Sequence, residues 1–219
     1  MRRHSNILLA IALALFATAP ALIHRAPYES TMGLVQKIFY YHVPGAILML
    51  ILAIVSGVAS AIYLFRKSPA ADRWGLAAAE QVVLFGAMTF VTGPLWGRKA
   101  WGVWWDWDPR TTSAMMLWMI FLAYLLLRRY GGPGSDKLAA GIALLGLANA
   151  PFVYVSVNYW RTLHPKTTVI PSLVPPMAGP MWYSMAAFVL LSMVLFMLRL
   201  QLEEQRARVE ALYLAADEE

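Results

Sequence analysis

The sequence predicts an all-α, polytopic membrane protein with six transmembrane helices. Three observations carry this. First, 60% of the 219 residues are hydrophobic and only 14% are charged, whereas soluble domains are about half apolar and a quarter charged. Second, six apolar runs each approach the ~20 residues that a helix needs to cross the hydrocarbon. Third, the runs are continuous rather than alternating, which argues against a β-barrel. No internal repeat is evident, which counts against inverted-repeat transporter folds. There is no cysteine, so disulfides, thiolate metal sites and cysteine nucleophiles are excluded. The net charge of +6 reports topology in such a chain. Membrane lipid is therefore the expected surrounding, and no nucleic-acid partner is inferred.

The runs follow in order. Residues 7–23 are apolar with Pro20, after a basic start that includes Arg2, Arg3 and His4. This run reads as a first span or as a signal peptide cut after Ala19; Pro20 directly after that site would hinder cleavage. Residues 25–41 read as a polar loop or interfacial segment, and 43–65 as the second span. Residues 66–74 form a charged turn, and 75–95 the third span, with Glu80 and Gln81 near its start. Glu80 lies close to Arg73, which predicts an interfacial ion pair. The fourth span covers 111–127 and the fifth 138–157, joined by a breaker-rich turn over 128–137. A long loop with five prolines, 158–180, precedes the sixth span over 181–198. These 198 residues read as one membrane domain. Residues 199–219 form a charged tail with Leu202, Val209, Leu212 and Ala216 on a helical stripe, predicting a cytoplasmic amphipathic helix. The two chain ends and the turns after the second and fourth spans hold eleven of the eighteen Lys and Arg residues. By the positive-inside rule both termini are expected in the cytoplasm.

Between the third and fourth spans lies W-G-R-K-A-W-G-V-W-W-D-W-D-P-R, residues 96–110. It holds five of the nine tryptophans. Flat aromatic faces interleaved with fixed cations suit a large, planar, anionic, mostly apolar ligand. Interfacial aromatic belts are common in membrane proteins, and that explanation covers Trp74, Trp118 and Trp182. It does not cover W-x-x-W-W-x-W with two aspartates in a loop. Asp106 and Asp108 beside Arg110 make a poor hard-cation site. Asp108 instead reads as the partner of an arginine or as the cap of the helix starting near Thr111, with Pro109 in its first turn.

Two histidines share that predicted outer face. His42 stands in F-Y-Y-H-V-P at the mouth of the second span, where Pro44 suits a helix start. His164 stands in N-Y-W-R-T-L-H-P, in the long loop. Each is flanked by aromatics, Tyr41 and Trp160 among them. Two neutral imidazoles across an aromatic slot are a natural axial pair for haem iron. Haem propionates call for arginines, with Arg98, Arg110 and Arg161 as candidates. Trp101, Trp104, Trp105 and Trp107 would pack on the porphyrin. The twelve methionines read as core filler.

The tryptophan stretch resembles the "WWD" signature of the cytochrome c assembly proteins, with Trp101, Gly102, Trp105, Trp107, Asp108 and Arg110 on its fixed positions. Tyr41-His42-Val43-Pro44 and the Trp160–His164 segment resemble that family's paired external histidines. Six spans at this length resemble the haem exporter C (CcmC) branch. Pro109 after the aspartate and the long charged tail are its mild departures. The resemblance implies a bacterial inner-membrane protein that transiently binds haem b (iron protoporphyrin IX) at the periplasmic surface through His42 and His164. It implies that the stretch from Trp96 to Arg110 is both haem platform and docking face for a CcmE-like haem chaperone. It also implies CcmA-, CcmB- and CcmD-like partners in an ABC-type complex for c-type cytochrome biogenesis, and a haem-handling protein rather than a conventional enzyme. A haem-free scaffold subunit and a haem-translocating channel are the alternatives.

Overall fold

In a computed structural model, residues 2–217 are described. Six helices among them are long and apolar enough to cross a membrane: α1 (Arg2–Arg25), α2 (Phe39–Arg66), α3 (Pro69–Ala100), α4 (Pro109–Tyr130), α5 (Ser135–Tyr159) and α6 (Pro175–Asp217). The side chains of Arg2, Arg3 and His4, and residues 1, 218 and 219, lie outside the described residues. The first run is thus a helix of the bundle. It packs on α6, where the Thr18 and Tyr183 hydroxyls meet at 2.6 Å.

Alpha2 is the central helix, packed against α3 and α5, while α4 packs on α5. The reason is legible in α5. Six of its eight buried residues, Ala139, Ala143, Gly146, Ala150, Val153 and Val157, are spaced alternately four and three apart, with Ala140 and Ser156 beside them. This single stripe of small side chains lets neighbouring backbones approach closely, as membrane helices require in the absence of a hydrophobic drive between them. Polar bonds join helices across the apolar interior. Asn149 Nδ2 donates to Ser113 O at 2.9 Å, and the Ser192 hydroxyl donates to Gln81 Oε1 at 2.7 Å.

Ion pairs tie the helices together at the end of the bundle opposite the tryptophan stretch. Arg128 grips Asp72 through two bonds of 2.6 and 2.8 Å. Arg199 reaches Glu80 at 2.5 Å. The expected partner of Glu80, Arg73, is replaced by a residue on α6 because α6 packs beside α3, a neighbourhood that sequence proximity does not reveal.

Helix boundaries differ from the sequence pattern where helices outrun their apolar cores. A 3-10 turn over Leu34–Ile38 leads straight into α2 at Phe39. Pro44 therefore sits inside α2 rather than in its first turn. Alpha3 continues to Ala100, so Trp96 and Arg98 are helical and only the later part of the stretch is loop. Alpha6 starts at Pro175 and runs unbroken into the charged tail. Prolines lie inside five helices, at Pro20, Pro44, Pro94, Pro151 and Pro180. All five fall toward the end that carries the tryptophans. Each lacks a backbone N–H and forgoes a helical bond, so helix ends there are free to bend apart.

Candidate functional site

Those ends enclose a cavity of about 670 Å³, within the ~300–1,000 Å³ typical of pockets for cofactor-sized ligands. Its wall is built from the outer parts of α2, α3, α4 and α5, the loop 101–108 and the loop 163–170. His42 and His164 both line it, as do Trp96, Trp101, Trp104, Trp105, Asp108 and Arg110. Residues more than a hundred positions apart thus face one space.

His42 is buried on the first turns of α2. Its Nδ1 is 2.8 Å from the Thr92 hydroxyl, and its ring meets Trp96 edge-on at 5.7 Å. Trp96 is itself fixed, its Nε1–H pointing at Met32 Sδ at 3.1 Å. Trp101 stacks on Trp96 at 6.1 Å and 24°, then meets the His164 ring at 6.0 Å. An aromatic chain, His42–Trp96–Trp101–His164, therefore runs along one wall.

The His164 loop is held by Asp108. That residue caps α4 as the Asp-Pro pattern predicts, with Oδ1 accepting from Thr111 N–H at 2.7 Å. Oδ2 accepts from the Thr162 hydroxyl, and that same oxygen of Thr162 accepts from the His164 N–H at 3.0 Å. His164 Nδ1 stops 3.8 Å from Asp108 Oδ2, beyond hydrogen-bond length. Burial pushes the Asp108 carboxyl upward. The His164 imidazole and the bonds from Thr111 and Thr162 outweigh it and hold the group well below the usual carboxylate range.

The remaining sequence candidates lie elsewhere. Arg98 donates to Gly102 O, closing the turn after α3. Gly102 has φ +79°, a left-handed conformation that favours glycine. Trp107 is 70% exposed and packs edge-on to Trp105 at 5.6 Å. Tyr41 packs on Phe188 at 6.4 Å, and Trp160 on Phe152 at 5.4 Å. Neither Trp107, Gly102, Tyr41 nor Trp160 is on the cavity wall, and Arg98 and Arg161 are not on it either. The cations that are on it are Arg110 and Lys166. Arg110 also donates to Val153 O on α5.

Four wall features escaped the sequence pattern. Lys166, Phe90 and Tyr154 line the cavity, and Gly93 lies against His42. A Cβ on Gly93 would come within 3.3 Å of His42 Cε1. The signal was faint: Thr92-Gly93-Pro94 breaks an otherwise apolar span, and Lys166 stands two residues after His164.

Two ring nitrogens of wall residues stand out. Trp105 Nε1 and His164 Nδ1 are buried without a hydrogen bond, although buried polar groups are nearly always paired. Among the described residues no three His, Asp or Glu side chains gather as a metal cluster. Two separated imidazoles in an aromatic pocket with cations suit a planar anionic macrocycle rather than a bare ion.

Six helices long and apolar enough to span a membrane, with an aromatic, two-histidine cavity at one end, define the class as a multi-pass membrane protein. The comparisons narrow that class. The family model "Heme exporter protein C" matches residues 1–215. A ccmC-like mitochondrial cytochrome c biosynthesis protein of Marchantia polymorpha is 33% identical over 202 residues, spanning 90% of this chain and 86% of its own. The Heme exporter protein C of Bradyrhizobium diazoefficiens is 34% identical, covering 85% of this chain and 73% of its own. That of Escherichia coli K12 is 34% identical, covering 86% and 80%. The chain belongs to the haem exporter protein C family, and membership implies a role in haem handling for cytochrome c biogenesis.

Proposed function

We propose that this protein binds haem b transiently in the cavity and hands it to a CcmE-like haem chaperone. The observation that carries this is that His42 and His164, distant in sequence, line one aromatic cavity of about 670 Å³. The two imidazoles are the proposed axial ligands. Trp96, Trp101, Trp104 and Trp105 offer faces to the porphyrin, and Arg110 with Lys166 are the cations nearest to hand for the propionates. Carboxylates prefer such partners, arginine bidentately and lysine as a point charge.

Haem is cargo here, and its iron chemistry belongs to it. The chain's own contribution is orientation and charge. Two imidazole ligands keep the iron coordinatively saturated, and handover requires one to leave. His164 is the side chain better placed to leave, because it sits in a loop whereas His42 is buried within α2. The exposed Trp107 and Trp104, 70% and 58% accessible, form the proposed docking face for the chaperone. In this reading the cavity opens to the periplasm of a bacterial inner membrane, both termini are cytoplasmic, and CcmA-, CcmB- and CcmD-like subunits complete an ABC-type complex. The protein promotes haem attachment to the chaperone without being a conventional enzyme.

The test is the visible spectrum of the purified protein in detergent after haem supply. A Soret band is expected in the wild type, reduced and shifted in His42→Ala and in His164→Ala. No band in the wild type, or one unchanged in both variants, would leave the haem-free scaffold reading standing. Haem flux into proteoliposomes by this chain alone would support the channel reading instead; none is expected.

A further inference from the structure

The two candidate ligands are held by unlike groups, and the one behind His42 determines where its proton sits. Thr92 Oγ1 is 2.8 Å from His42 Nδ1. It is also 2.8 Å from Met88 O and 3.4 Å from Thr89 O. A carbonyl only accepts. Two oxygens at 2.8 Å with no proton between them would repel, so the single hydroxyl proton of Thr92 lies toward Met88 O. The hydroxyl then meets the imidazole as an acceptor, and Nδ1 must carry a hydrogen. Neutral imidazole has one N–H, which leaves Nε2 with a bare lone pair. Among the described residues nothing hydrogen-bonds to Nε2, on a side chain that lines the cavity.

The rest of the ring's position is set by the same stretch of α3. Gly93 leaves the space beside His42 Cε1 that a Cβ would narrow to 3.3 Å, and Trp96 closes on the ring edge at 5.7 Å. Thr92 and Trp96 are four apart and share a helix face. Three residues within five positions thus cradle one imidazole. Threonine in a helix often back-bonds to the carbonyl four residues earlier with no further role. Here that ordinary bond orients the free lone pair at a buried histidine.

We propose that Thr92 is the positioning residue that fixes His42 as its Nδ1–H tautomer, presenting Nε2 as the nitrogen that binds iron; the second half of this rests on the haem reading above. His164 has no such partner, since its Nδ1 stands 3.8 Å from Asp108. The pair is therefore asymmetric, with a pre-set ligand on α2 and a less constrained one in the loop.

The first test needs no haem. The full chain is labelled with ¹⁵N-histidine, purified haem-free in detergent, and its ring nitrogens are read by NMR, with the His42 signals identified by their loss in His42→Ala. Nδ1–H with bare Nε2 is expected in the wild type and in Thr92→Ser. Thr92→Val, which keeps the shape and removes the acceptor, is expected to lose that preference. A wild-type His42 protonated on Nε2, or a Val variant with unchanged tautomer, overturns the proposal. In a second test, Thr92→Val is expected to bind haem about tenfold more weakly, the lower range for loss of a group supporting a metal ligand. Its ferric/ferrous midpoint is expected to rise, because the imidazole loses electron-donating support, and Thr92→Ser is expected to restore both values. Unchanged affinity and midpoint in Thr92→Val overturn the iron-binding half. Absence of haem binding in every form, with the wild-type tautomer as expected, would sink the haem reading and leave the tautomer assignment intact.

Discussion

Asp108 shows how much one side chain carries in this protein. It caps α4, receives the Thr162 hydroxyl and faces His164, so it joins the tryptophan loop to the histidine loop. Asp108→Ala is expected to cost about 1 kcal/mol from the lost cap alone, with a further loss as the His164 loop is released. The lowered thermal midpoint in detergent and weaker haem uptake would show both. Asp108→Asn separates cap from charge, since asparagine caps as well as aspartate. It should keep most of the thermal stability and alter the haem spectrum through the lost charge beside His164. The pH behaviour follows from the sign of the shift. The folded carboxyl lies below its ordinary 3.8, so its stabilisation is present above the unfolded value and lost only as pH falls through the depressed folded one. The difference in midpoint between wild type and Asp108→Asn is therefore expected to stay flat from about pH 5 to 8. A difference that changes steadily over that range would contradict the assignment.

Among the helices, α5 is the clearest case of sequence spacing becoming packing. Its stripe of small residues is buried, while Leu145 on the other side is 62% exposed. Ala143→Leu forces extra volume against α2, where Gly57 already lies so close that a Cβ there would meet Leu147 Cβ at 2.4 Å. Overpacking of this kind costs about 1–3 kcal/mol. Leu145→Ala on the lipid side should cost much less. Thermal midpoints of the two variants measured side by side test this, and equal losses would argue against the stripe as the seam. The apolar cores of all six helices were legible because a membrane span must be long and apolar. Their ends were not. Helices continue past the hydrocarbon where prolines, tryptophans and charges make the sequence read as loop, as at Trp96–Ala100 and at the start of α6.

The whole molecule divides into two ends with different tasks. One end is clamped by ion pairs, Arg128 with Asp72 and Arg199 with Glu80; the other holds the cavity. Arg128→Ala removes one partner of a pair whose side chains are 17% and 19% exposed. The expected cost is about 1–3 kcal/mol, between that of surface pairs and that of fully buried ones. Because the clamp is remote from the cavity, the haem spectrum should be unchanged while the thermal midpoint falls. A spectral change in this variant would mean that the two ends are coupled through the bundle.

By itself the sequence determined the helix count, the membrane class and the residue types of the site, and narrowed Asp108 to a helix cap or an arginine partner. Each of these follows from local composition and spacing, which act within one or two turns of chain. Only the tertiary structure decided which of those residues meet. It set His42 and His164 on one cavity, left Arg98, Arg161 and Trp107 off its wall, brought Lys166 onto it and put Thr92 against His42. It also exchanged Arg73 for Arg199 beside Glu80. The physical reason is that membrane helices choose their neighbours by small-residue packing and buried polar bonds between distant segments. Those pairings depend on the face each helix turns to its partners, which no single stretch of the chain encodes.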